Sequence, residues 1–190
     1  MAVVVVDYGT VHLALLKKLS GQPVKVVTPA TLDPGKLAPG DVVVLSGSHT
    51  HAVHGSERYF AKELELIRLA RCPIIGVCLG FELIAYQAGG ILERLPYKEQ
   101  GIVEVFPTPE GLNWFESYHV PVAEGHRWVL RDAPLGYVEL ASSTDGVEAI
   151  GNLTNRIVGF QFHPEFHGSI TNGAALFRRV LDRLTSGQVD

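Results

Sequence analysis

The sequence has little sulfur and little charge. It holds two cysteines, Cys72 and Cys78, and one methionine. Two cysteines this close, on either side of an apolar stretch, do not make a disulfide framework, and a cytoplasmic protein is the simplest expectation. Charged residues make up 19% and the formal net charge is -4, so there is no basic footprint for nucleic acid. No apolar run is long enough to span a bilayer, so no membrane partner is expected. The start, MAVVVVDYG, has no positive n-region and turns acidic at Asp7, unlike a signal peptide. What is abundant is apolar side chain. At 46% of 190 residues it can fill one sizeable core, and a single domain over 1–190 is expected.

The first half alternates two patterns. Val3–Val6, Val24–Val27, Val42–Leu45 and Pro73–Val77 are short strand candidates, apolar throughout except at Lys25. Val11–Leu19, Glu57–Ala70 and Leu79–Ala88 have helical spacing. Strands apolar on both faces, alternating with helices, indicate a parallel sheet covered on both sides. After Gly89-Gly90 the pattern changes. Ile102–Phe106, Tyr118–Val122, Trp128–Leu130, Tyr137–Ala141, Glu148–Ile150 and Ile157–Phe162 are short strand candidates divided by Pro, Gly, Asp and Asn, which suits antiparallel pairing. Gly173–Leu184 reads as a closing helix. Trp114 and Phe115 read as core residues.

Two segments carry chemistry. Gly76-Val77-Cys78-Leu79-Gly80 is a G-x-C-x-G pattern between an apolar strand and a helix. That is the sulfur form of a nucleophile elbow, with glycines where side chains would collide in the sharp turn. It sets Cys78 at a helix N-terminus, whose dipole favours thiolate. Taken alone, the segment also allows Cys78 to be a small buried residue in a tight turn. A thiol nucleophile needs a base, and the base needs an orienting group. Val158-Gly159-Phe160-Gln161-Phe162-His163-Pro164-Glu165 supplies both. If the chain stays extended there, His163 and Glu165 face the same side, two residues apart.

With these residues the sequence resembles the class I, triad-type glutamine amidotransferases. GVCLG at 76–80 and GFQFHPE at 159–165 carry the resemblance, and VVVDYG at the start and VVLSG at 43–47 agree in order and spacing. It implies an α/β fold with a flavodoxin-like open sheet, mostly parallel, helices on both faces, and the extra antiparallel strands in the C-terminal half. It implies hydrolysis of glutamine to glutamate and ammonia without metal or organic cofactor. Cys78 would attack the side-chain amide, His163 would serve as base and then acid, and Glu165 would orient His163. The backbone N–H groups of Gly47 and Leu79 would form the oxyanion hole.

The sequence also departs from the family. The usual SGGP loop is SGSH here, at Ser46-Gly47-Ser48-His49, and Glu82 stands where many members have Gln. Glu82 could pair with the α-ammonium of glutamine, or mark a different γ-glutamyl substrate. Ser117-Tyr118-His119-Val120 resembles the Tyr-His segment of the anthranilate- and aminodeoxychorismate-type glutaminases, which makes Val120 and Pro121 candidate substrate contacts by position. His49, His51 and His54 have an H-x-H-x-x-H spacing that suggests zinc. Val53, however, stands where the metallo-β-lactamase-like pattern has Asp, no further ligand set is evident, and no metal is expected.

The resemblance implies a separate ammonia-accepting synthetase, GMP synthase-like or anthranilate/aminodeoxychorismate-like, with GVEAIGN and VGFQFHPEF favouring the former. Two alternatives stand beside it. One is a stand-alone γ-glutamyl hydrolase or peptidase of the same superfamily. The other is a catalytically weak regulatory module.

Overall fold

The computed structural model describes residues 2–166 and 170–186. Five short strands run parallel: β1 (Val3–Val6), β2 (Val24–Val27), β3 (Val42–Leu45), β4 (Ile74–Val77) and, late in the chain, β9 (Ile157–Phe160). They lie in the order β2-β1-β3-β4-β9. β1, β3, β4 and β9 are buried at every position, which is why they read as unbroken apolar runs.

Successive residues of these strands enter two different cores. Val3, Val5, Val42, Val44, Ile75, Val77, Val158 and Phe160 face one side. There they pack with α1 (Leu13–Leu19), α4 (Pro109–Phe115) and α5 (Gly173–Ser186). Val4, Val6, Val43, Leu45, Ile74 and Ile157 face the other, with α2 (Ala61–Leu69) and α3 (Leu79–Gln87). α4 was not expected as a helix. Thr108 caps it by accepting from the Gly111 N–H at 3.1 Å, and Pro109 occupies its first turn.

The second half corrects the expected open, mostly parallel sheet. β5 (Leu92–Pro107) and β6 (Val120–Leu130) form a long antiparallel pair. β7 (Val138–Ser142) pairs with β5 and with β8 (Val147–Asn152), and β8 also pairs with β6. Strands β5, β6, β8 and β7 therefore close into a four-strand ring, and β8 joins that ring to β9. Four strand pairings are parallel and five antiparallel among the described residues. The sequence hid this because β5 is largely exposed and contains Pro96. A register shift between Arg94 and Glu99 accommodates the missing N–H. Among the described residues no helix is long and apolar enough to cross a membrane.

Candidate active site

β4 turns into α3 through Cys78, whose backbone has φ 50° and ψ -103°. A non-glycine residue at positive φ costs about 1–3 kcal/mol and persists only where its surroundings hold it. Here they do. The Cys78 N–H donates to the Phe160 carbonyl at 2.8 Å, and its carbonyl accepts from the Glu82 N–H at 3.0 Å. The two glycines let α3 lie directly on the sheet. A Cβ at Gly76 would come 2.6 Å from the Gly80 carbonyl, and one at Gly80 would strike the Leu45 carbonyl. Leu79 is the first residue of α3, so its N–H belongs to the unpaired first turn.

His163 lies beyond the end of β9. Its N–H donates to the Ala123 carbonyl at 2.8 Å, which ties it to β6. The Nδ1–H of its ring donates to Glu165 Oε1 at 3.0 Å, which leaves Nε2 for another partner. The ring is within hydrogen-bonding reach of the Cys78 thiol. The His163–Glu165 contact forms in a turn, not in an extended strand: the Phe166 N–H donates back to the His163 carbonyl at 3.2 Å. Gly173, at the start of α5, seats that turn, since a Cβ there would lie 2.7 Å from Pro164 Cα. Cys78, His163 and Glu165 are all buried. Burial works against the imidazolium, but the Cys78 sulfur and the Glu165 carboxylate outweigh it and raise the His163 pKa well above its ordinary value.

Gly47 closes the group from β3. A Cβ there would lie 2.9 Å from His163 Cε1 and 3.4 Å from Cys78 Cβ, so no side chain fits without moving the histidine. Next to Cys78 is a cavity of about 420 Å³. Leu79 and Glu82 form its inner wall, Ser48 and His49 one side, and Arg94, Lys98 and Arg127 its cationic rim. Glu82 is buried, and burial pushes its carboxyl up to about 7 against the opposing pull of His126 and the nearby Gln161 amide. Across Gly125 a second cavity of about 310 Å³ reaches His163, with His12, His49, Glu124 and Phe166 around it.

The family model described as Glutamine amidotransferase class-I matches residues 4–183. The chain belongs to the class-I glutamine amidotransferases. Among its relatives, a glutamine-hydrolysing GMP synthase subunit from Saccharolobus solfataricus is 33% identical over 179 residues, 90% of each chain. The glutamine-hydrolysing GMP synthase of Streptomyces avermitilis is 27% identical over 190 residues, 95% of this chain but 35% of that longer protein. A solved glutamine amidotransferase from Thermotoga maritima has the same fold, with a TM-score of 0.77 at 16% identity, covering 97% of this chain and 98% of the other.

Against the usual SGGP loop of this amidotransferase family, the SGSH loop is held by its own side chains. The Tyr8 N–H donates to Ser46 Oγ at 3.0 Å, and Ser48 Oγ donates to the Tyr8 carbonyl at 2.8 Å. The N–H groups of Thr50 and His51 in turn donate to Ser48 Oγ at 3.2 and 3.1 Å. Ser48 thus fixes a loop that elsewhere carries glycine and proline.

The three histidines go to three different neighbours. His51 stacks on Tyr59 at 4.9 Å, His54 packs on Trp128 at 4.9 Å, and His49 lies 6.0 Å from His12. Val120 is buried in the core, and the Pro121 carbonyl accepts from the Asn172 N–H at 2.9 Å. Neither residue lines either cavity. On this strand, Gly125, His126 and Arg127 line the cavity beside Cys78. The one available signal was a cluster of charged and polar residues, Glu124-Gly125-His126-Arg127, in the middle of a strand that is otherwise apolar.

Proposed function

We propose that this chain hydrolyses the side-chain amide of glutamine through a Cys78-His163-Glu165 triad and passes the ammonia to a separate synthetase. The observation that carries the reading is a positive-φ cysteine at the strand–helix elbow facing a buried histidine, which is itself bonded to a carboxylate.

The Cys78 thiolate attacks the amide carbon, and the carbonyl becomes an oxyanion. The N–H groups of Gly47 and Leu79 receive that charge; donors fixed in this way contribute about 3–4 kcal/mol each to such steps. His163, held as imidazolium, protonates the departing nitrogen, and ammonia leaves a γ-glutamyl thioester on Cys78. Water adds with His163 as base, giving glutamate and the free thiol. Glu165 keeps the ring in the tautomer that presents Nε2.

Glu82, as carboxylate, pairs with the α-ammonium of glutamine. The rim cations Arg94, Lys98 and Arg127 suit its α-carboxylate. Two unpaired cysteines suit a reducing, cytoplasmic setting. Similarity to a relative that is itself one subunit of a GMP synthase supports a GMP synthase-like acceptor on a separate chain.

The test is release of glutamate and ammonia in equal amounts from glutamine, measured with and without the synthetase subunit of the source organism. Stoichiometric release that Cys78→Ala abolishes supports the reading. Release from γ-glutamyl peptides but not from glutamine replaces it with the γ-glutamyl hydrolase alternative.

A further inference from the structure

Strands β5, β6 and β8 carry a second group of chemically capable side chains that the proposed reaction does not use. Glu124 and His126 are two residues apart on β6 and so point to one side, and Gly125 between them turns toward His163. Glu99 on β5 is the cross-strand partner of His126, and Glu148 comes from β8. Glu124, His126 and Glu148 are at most 5% exposed, so with Glu99 they place three carboxylates and one imidazole in a region nearly closed to water.

The geometry of His126 is that of a ligand. Its Nδ1–H donates to the Trp128 carbonyl at 3.0 Å, which fixes Nε2 as the atom facing the acids. Nε2 lies 3.1 Å from Glu124 Oε2 and 3.3 Å from Glu99 Oε2. Neither oxygen lies along the Nε2 direction well enough to make a hydrogen bond. A donor atom each from Glu99, His126 and Glu148 all lie within 4.8 Å of one another. Ser143 Oγ donates to Glu148 Oε1 at 2.8 Å, while the buried Glu148 Oε2 and both oxygens of Glu124 have no hydrogen-bond partner among the described residues.

We propose that this group is a site for one divalent first-row metal ion of the Mn2+ or Zn2+ class, held by His126 Nε2 and carboxylate oxygens of Glu99, Glu124 and Glu148. The donor set of one imidazole and three carboxylates selects such an ion over Ca2+ and Mg2+, which take oxygen alone. The backbone carbonyl on Nδ1 is the outer partner that metal-bound histidines keep. Glu99 is the only partly exposed member, and His126 lines the cavity beside Cys78, so the ion has a path in. The ion does not touch the reacting atoms. It ties β5, β6 and β8 together and fixes the residues on both sides of Gly125, the wall against which the His163 ring rests.

The full chain, stripped with a chelator, is equilibrated with MnCl2 and separately with ZnCl2, and bound metal is counted by elemental analysis while melting is followed. The expected result is one equivalent bound and a melting temperature raised by several degrees. Glu148→Gln should weaken binding at least tenfold, and so should Glu99→Gln, which lies at the ring's open edge and serves if the buried variant does not fold. Cys78→Ser and the triple change His49→Ala, His51→Ala, His54→Ala should each keep the one equivalent. No stoichiometric binding of either ion overturns the proposal, and so does binding that the glutamate variants leave intact. Loss of binding in the triple histidine variant overturns it too, by moving the ion to the loop. A Glu148→Gln chain more stable than the native one, with no metal bound by either, also overturns it, because the buried acids would then be sharing a proton.

Discussion

His163 Nδ1 lies 3.0 Å from Glu165 Oε1, and the carboxylate that holds it is almost fully buried. This bond fixes which ring nitrogen is left for Cys78. Glu165→Gln keeps the shape and removes the charge. Its kcat for glutamine hydrolysis should fall by roughly 10²–10⁴-fold with KM little changed, as when the acid of a triad is replaced by its amide. Steady-state glutamate release measures this. A loss below tenfold would mean that Glu165 does not orient the base.

The glycines separate fold from function. Gly80→Ala drives a methyl into the Leu45 backbone, so it should cost about 1–3 kcal/mol of stability, read by denaturant melting. Gly47→Ala meets the edge of the His163 ring, which can shift, and reaches Cys78 Cβ only at 3.4 Å. That variant should melt near the native temperature and lose about 10²-fold in kcat, since small misplacements of a base have costs of that order.

Glu82 makes binding depend on pH. Its carboxyl is pushed up to about 7 by burial, against roughly 4.3 when unfolded. If the carboxylate pairs with the α-ammonium, KM for glutamine should fall about tenfold from pH 6 to pH 8, and Glu82→Gln should flatten that dependence. Stability runs the other way. Between the two pKa values the native state holds the proton more tightly than the unfolded state, so this residue's contribution declines as pH rises toward and through 7. Glu82→Gln should therefore raise the melting temperature more at pH 8 than at pH 5, a comparison that calorimetry makes directly.

Ser48 carries the loop that replaces SGGP. Ser48→Ala removes a bond to the Tyr8 carbonyl and the acceptor for two loop N–H groups, each worth about 1 kcal/mol. The expected outcome is a drop in kcat of about tenfold with the fold intact, and restoration by Ser48→Thr. Unchanged kinetics would show that the loop is held by other contacts.

Much of this site was legible in the sequence because its constraints are local. An elbow needs glycines at 76 and 80 whatever lies around it, and the hydrogen-bonded pair His163 and Glu165 is only two residues apart. The parallel strands were legible for a related reason: burial on both faces writes an unbroken apolar run. The ring was not. Its closure depends on β7 meeting both β5 and β8, which no local pattern encodes, and β5 carries solvent-facing residues along most of its length. The same distance hid Arg94, Lys98, His126 and Arg127, which reach the cavity only because the ring folds beside the elbow. Val120 and Pro121 were placed by analogy with a segment that here starts β6 and packs inward.

The most direct test of Cys78 as the nucleophile is intact-mass measurement after incubation with a diazo-ketone analogue of glutamine. Cys72 provides an internal contrast, since burial pushes its thiol up to about 11 and keeps it protonated and unreactive at neutral pH. One adduct is expected on the native chain and none on Cys78→Ala, with free glutamine slowing the reaction. An adduct that survives in Cys78→Ala, or a native chain left unlabelled even with the proposed synthetase partner present, would contradict this.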